Sequence, residues 1–262
     1  MAFLSSLSVP TFLGLFFVIF LGLSAFFLLY KPLATAEEAE KSEPTIVVIS
    51  TLSAVIGGFY AILFGLVVVN LWENFNTVQE SITQEANDMA VLYLGTKAFQ
   101  PEAKQKMQQN LREYVLEVRN HEWKEIGGQG ASTKKAWDSI WNLFYNLQSY
   151  VPQTTNEVAV YTSMLNTLHD ALNARRARIE ATDNSIPPTL FVILFMGCVF
   201  MIYSNAEMVR RSGNRLIILT VAINFILAFY LTLIVDLSKP YREGQFTTSY
   251  GAFNQGILGT IK

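Results

Sequence analysis

The sequence predicts an all-α polytopic membrane protein, with four transmembrane helices and a four-helix extramembrane bundle continuous with the second span. Three observations carry that prediction. Four apolar runs of roughly 20 residues carry no charge, each long enough at about 1.5 Å per residue to cross a hydrocarbon core. A long block between the second and third runs, 70–185, contains no possible span but repeats apolar residues at helical spacing. Apolar residues make up 51% of the chain against 15% charged, and the two kinds are segregated along it, as a chain with membrane and aqueous parts requires.

The first span is 11–30, preceded by Val9-Pro10 and stopped by Lys31-Pro32. A secretory signal is the competing reading, because Ala34-Thr35-Ala36 resembles a small-residue cleavage site. No Lys or Arg precedes the run, however, and it exceeds the usual length of a signal core, so a retained span is expected. A short acidic connector, Glu37 to Glu43, leads through Pro44 into the second span, 46–69. No Gly or Pro falls between Gly65 and Gly95, so nothing local ends the helix at the membrane surface. The expectation is one rod of about 70 Å, half in lipid and half in water.

Within the block 70–185, the extension of the second span carries Phe75, Val78, Ile82, Ala86, Met89 and Leu92 at helical spacing. A second seam runs through Met107, Leu111, Tyr114, Val118 and either His121 or Glu122, broken at Gly127-Gly128-Gln129-Gly130. A third short helix holds Trp137, Ile140, Trp141, Phe144 and Leu147. A fourth holds Val158, Tyr161, Leu165, Leu168, Leu172 and Ile179, close to the heptad rhythm of bundle helices. The third span, 186–203, starts at Pro187-Pro188, where missing amide donors do little harm. Residues 205–215 read as a connecting loop, 216–235 as the fourth span within the segment 186–244, and 245–262 as a tail, with a short interfacial helix as one option. Counting Lys and Arg near the span ends gives a near tie, so charge does not orient the protein or name its membrane.

Several functions are disfavoured. The net charge of -2 gives no basic footprint for nucleic acid. His121 and His169 lie far apart, and no nucleotide-binding, zinc-protease or hydrolase motif occurs, so neither a metal site, a cofactor nor an enzyme is expected. The single cysteine, Cys198, sits in an apolar run and reads as a buried small side chain.

The remaining clues are polar or small residues in unusual places. Ala54, Gly58, Ala61 and Gly65 share one face of the second span, which suits either close helix packing or the border of a narrow pore. Glu73, Glu80, Glu85 and Asp88 follow that span with no Lys or Arg from Phe59 to Thr96. They read either as a solvated face or, around a symmetry axis, as rings favouring cations. In the fourth span Thr220 and Asn224 share a face, open to a helix-to-helix hydrogen bond or to a permeation role.

A family resemblance joins these pieces. Gly58-Phe59 through Gly65-Leu66, then Trp72-Glu73-Asn74-Phe75, Glu85-Ala86 and Leu92-Tyr93 resemble the opening signature of the bestrophin-like membrane proteins of bacteria and plants. Tyr114-Val115, Glu122-Trp123, Arg175, Arg178-Ile179, Ile186-Pro187 and Asp236 with Pro240 and Gly244 continue it in order. The resemblance implies a homo-oligomer, pentameric by analogy with bestrophins, in which the second span lines an axial pore for inorganic ions. Gly57, Gly58, Phe59, Ile62, Gly65, Leu66, Val69 and Trp72 become pore-lining candidates, and Asn70, Glu73 and Asn74 candidates for the mouth. Bestrophins are anion channels, but this sequence has no acidic calcium-clasp run, and the acids beyond Val69 suit cations better. The rival expectation is a membrane-anchored sensor or scaffold whose bundle binds a partner or ligand, with the Trp and Phe side chains of the third bundle helix as its binding face.

Overall fold

The computed structural model of the chain describes residues 9–30, 43–129, 133–183, 186–212, 217–241 and 247–261. The acidic connector up to residue 42, the Ala34-Thr35-Ala36 site, Arg215, Arg242 and Gly244 lie outside the described residues. In chain order the helices are α1 (Val9–Tyr30), α2 (Glu43–Gly95), α3 (Pro101–Glu117), α4 (Trp123–Gln129), α5 (Lys134–Gln148), α6 (Thr155–Asp183), α7 (Pro188–Ser212) and α8 (Ile217–Leu237). Among the described residues no strand occurs. The helices α1, α7, α8 and the first part of α2 are long and apolar enough to cross a membrane, and the chain is an integral, multi-pass membrane protein. The helix α2 is a single 53-residue helix, unbroken through the stretch between Gly65 and Gly95 that holds no Gly or Pro.

The chain divides into two compact units, 1–72 with 186–238 and 73–185 with 239–262. In the first unit α1 packs on α7 and α8, with aromatic contacts between Phe20 and Phe195, Phe17 and Phe225, and Phe27 and Tyr203. The α2 helix approaches α7 closely where Gly197 faces Tyr60: a Cβ there would sit 2.0 Å from the ring. Small residues serve helix association in lipid because the hydrophobic effect drives little of it and backbones must come near. The helix α7 starts at Pro188 and continues to Ser212, past the end expected at Tyr203. Residues 205–212 are therefore helix and not loop. Burial of Ala206 and Val209, together with the Glu207–Arg210 ion pair one turn apart, explains the extension.

In the second unit, α2 from Glu73 onward, α3, α5 and α6 bury a common core. On α2 the inward positions are Val78, Ile82, Glu85, Met89 and Leu92, in steps of four, three, four and three. Met107, Leu111 and Tyr114 on α3, and Val118 just after it, face inward as their spacing predicts. A π-helical turn over Val118–Glu122 joins α3 to α4 and brings Glu122 inward, while His121 stays out beside Glu117. The helix α4 runs through Gly127 and Gly128 and ends at Gln129, within the stretch Gly127 to Gly130 where a break is expected. Gly127 serves close packing, because a Cβ would lie 2.7 Å from the Tyr241 carbonyl oxygen.

On α6 the expected Leu168 and Leu172 are buried and Tyr161, Leu165 and Ile179 pack against the core, but Val158 is exposed, and Met164, Ala171, Arg175 and Arg178 are buried beside them. Trp137 and Phe144 of α5 pack against this core. Residues 247–261 belong to the same unit and form two 3₁₀ turns in place of an α-helix. Phe253, Leu258 and Ile261 enter the core from these turns, and Arg119 donates to the Ile261 carbonyl at 3.1 Å.

Candidate functional site

Two features stand out. The first is the outer face of α2. Within the first unit, Tyr60, Phe64, Val67 and Leu71 point toward the unit's own helices, in steps of four, three and four. Phe64 stacks on Tyr230, and the Tyr60 hydroxyl lies 3.4 Å from the Cys198 sulfur. The other face carries Phe59, Ile62, Leu66 and Val69, which are 72%, 63%, 64% and 55% exposed. Their steps of three and four keep to a seven-residue period, so the stripe drifts by only about 20° per repeat.

Of the sequence-derived candidates, Gly58, Gly65, Trp72, Asn70 and Glu73 are exposed as well. Gly57 is not on this stripe, since its Cβ position lies 3.2 Å from Met201. Asn74 is half-buried and donates to the Ala181 carbonyl at 3.3 Å. Thr220 accepts from Asn205 Nδ2 at 2.9 Å, and Asn224 donates to Ser24 Oγ on α1 at 2.8 Å. Both are buried, and both make helix-to-helix bonds.

The second feature is a closed set of charges in the core of the bundle. Glu85 of α2, Glu122 of the π turn, and Arg175 and Arg178 of α6 have no solvent exposure. Arg178 Nε reaches Glu85 Oε2 at 2.6 Å and its Nη2 reaches Glu122 Oε2 at 3.0 Å. Arg175 pairs with Glu122 through both terminal nitrogens, and its Nη1 also donates to the Tyr114 hydroxyl at 2.8 Å. Tyr114 in turn donates to Glu85. The rings of Trp137 and Trp123 lie 4.5 Å and 5.3 Å from the two guanidinium carbons, a cation–π distance.

Two positive and two negative charges thus cancel inside a fully buried core, the condition under which buried ions persist. Burial alone would push the Glu122 carboxyl up, but Arg178 and Arg175 outweigh it and hold it below the usual carboxylate range. Burial and the neighbouring Glu85 push the Tyr114 hydroxyl well up, against the opposing pull of the arginines. It stays a neutral hydrogen-bond relay. Glu85 is therefore committed inside the bundle and is not a solvated acid of the outer face, whereas Glu73 and Glu80 remain exposed.

Sequence reasoning placed Glu85, Tyr114, Glu122, Arg175 and Arg178 in a signature but did not join them. The available signal was the spacing of Arg175 and Arg178, which continues the Met164, Leu168 and Ala171 rhythm.

No curated protein sequence matches the chain. A crystal structure of a point-mutant bacterial bestrophin homologue from Klebsiella pneumoniae aligns over 95% of this chain and 96% of its own, with a TM-score of 0.63 at 11% sequence identity. At that identity the likeness establishes the shared fold. The family profile described as the Bestrophin-like domain matches residues 15–253, nearly the full length and both units. The chain belongs to the bestrophin-like family.

Proposed function

We propose that this protein is a homo-oligomeric ion channel in which equivalent copies of α2 surround an axial passage and which favours cations. The observation that carries the reading is the outer stripe of α2, turned away from the chain's own helices. It is apolar at Phe59, Ile62, Leu66 and Val69, then polar or acidic at Glu73, Thr77 and Glu80, with no basic residue before Lys97. A ring of Phe59 and Ile62 would form a narrow neck at which an ion sheds part of its water. Glu73 would set a negative potential at the adjoining mouth, which raises local cation concentration and repels anions. Asn70 would add a dipole there. Membership of the bestrophin-like family supports the channel, and the absence of basic residues along the stripe supports the sign of its selectivity.

The purified protein in planar bilayers under a KCl gradient tests this directly. Phe59→Ala is expected to change unitary conductance, and Glu73→Lys to move the reversal potential toward that of chloride. Unchanged currents in the first variant would remove the neck. An unmoved reversal potential in the second would remove the acidic ring.

A further inference from the structure

Two grooves run along the edges of α2 in the bundle, and their charges are opposite. The groove between α2 and α6 is lined by Glu80, Gln84, Asp170 and Asn173 and, among the described residues, by no Lys or Arg. The groove between the end of α2 and α3 is lined by Tyr93, Lys97, Lys104 and Arg112 and, among the described residues, by no Asp or Glu. Glu80, Asp170, Lys97 and Arg112 are exposed. The ion pairs among the described residues use none of these charges.

The grooves flank the outer face of α2 on opposite sides. At about 100° per residue, and with Asn87 on the outer face as reference, Gly95 faces Met164 of α6 from about 80° to one side. Tyr93 meets the α3 groove from about 120° to the other. The two grooves are also level. Arg112 lies between Gln108, which bonds Thr96, and Tyr114, which bonds Glu85. Asp170 lies between Met164, which faces Gly95, and Arg178, which bonds Glu85. Both charges therefore sit beside the same stretch of α2. On the face between them Val91 and Leu94 are 50% and 46% exposed, an apolar centre rimmed by charge, as protein contacts are built.

We infer that a second copy of this chain occupies both grooves: the acidic α2–α6 flank of one copy docks on the basic α2–α3 flank of the next, with Asp170 opposite Arg112. One chain carries both halves of the contact on opposite flanks, so the contact is head-to-tail. Such a contact closes into a ring when its rotation divides a full turn, and here it leaves the outer face of α2 toward the axis. Opposite charges fix register and partner, while like charges set against each other are costly. A two-fold contact through either groove would place it against its own kind. The docking rests on the axial placement of α2 proposed above and names the surface that holds it.

The full chain in detergent, its mass read by light scattering, tests the pairing. Arg112→Glu and Asp170→Arg, each alone, are expected to raise the concentration for half-assembly at least about tenfold. Both together in one chain should restore it, because each contact joins position 112 of one copy to position 170 of the next. The double variant Arg112→Cys with Asp170→Cys, treated with a bis-maleimide in vesicles, should give cross-linked bands beyond the dimer, and neither single variant should give any. Cys198 is buried and contributes no background. Cross-linked dimers from one single-cysteine variant mean a two-fold contact and overturn the head-to-tail docking. An oligomer unchanged by both single reversals overturns the interface and leaves the channel reading standing. A native chain that is monomeric in detergent and in vesicles overturns both.

Discussion

The two compact units bury polar groups by opposite means. In the membrane unit the buried polar side chains include amides and hydroxyls that bond singly between helices, such as Asn224 to Ser24 and Asn205 to Thr220. In the bundle, four full charges and a tyrosine hydroxyl close on one another with no exposure. The difference follows from how each unit is held together. The membrane unit relies on close approach of small residues and aromatic contacts, so a weak polar bond is an addition. The bundle core is built around its charges, and no single one of them can be removed without leaving its partners bare.

The largest effect that would break this contrast is therefore expected at Arg178. Arg178→Ala takes from Glu85 its 2.6 Å partner, leaving it the Tyr114 hydroxyl and a more distant Arg175, and removes one of the two arginines of Glu122 in a core with no solvent exposure. Breaking a buried pair in this way costs about 3–5 kcal/mol. Thermal unfolding followed by circular dichroism should show a lower midpoint than for a surface control such as Arg176→Ala. A fall of less than about 1 kcal/mol would mean that the network adds little, since exposed pairs contribute in that range.

The same closure sets an acid limit. The native pKa of Glu122 lies below its ordinary value of 4.5, so its contribution is fully present above that value. It is lost as pH falls through the depressed native one. Stability should hold down to about pH 5 and decline below about pH 4, and in Glu122→Gln that decline should be shallower.

An intermediate effect is expected where the membrane unit is tightest. A Cβ at Gly197 would fall within 2.5 Å of three atoms of the Tyr60 ring, so Gly197→Ala forces α2 and α7 apart. Overpacking of this kind costs about 1–3 kcal/mol. The double variant Gly197→Ala with Tyr60→Leu should recover part of the loss, which a melt of the detergent-solubilised protein would show.

What was legible in the sequence divides along the same line. Charge-free runs of span length admit one structure, so the four membrane helices and the unbroken α2 could be read directly. Phe59, Ile62, Leu66 and Val69 are candidates only through the family resemblance, because in an uncharged span no polar residue marks which side faces out, and their exposure on one face of α2 comes from the packing. The bundle core was only half legible. Arg175 and Arg178 lie in the core on α6 beside the apolar seam of Leu168 and Leu172, and an apolar pattern does not reveal charged members of a seam. Periodicity puts Glu85 on the α2 seam with Ile82 and Met89 and leaves Glu80 off it, but it does not show that the seam carries a paired charge. Both lie on the acidic part of one helix, and only packing decides which of them meets an arginine. The helical end of α7 was missed for a related reason: 205–212 is polar enough to resemble a loop until the Glu207–Arg210 pair and the burial of Val209 are seen.

The smallest effect sharpens the comparison most. Asn224 is fully buried and gives one bond to Ser24, while its Oδ1 has no partner among the described residues. Interhelical hydrogen bonds in membranes contribute only about 0.6 kcal/mol on average and reach about 1.7 at most. Asn224→Leu, similar in size, loses that bond but also removes a bare acceptor from an apolar setting, so the two terms oppose. The expected change is below about 1 kcal/mol, and Ser24→Ala in the Asn224→Leu background should add almost nothing. A loss comparable to that of Arg178→Ala would show that the membrane unit too is organised around its polar interior, and the contrast between the two units would fail.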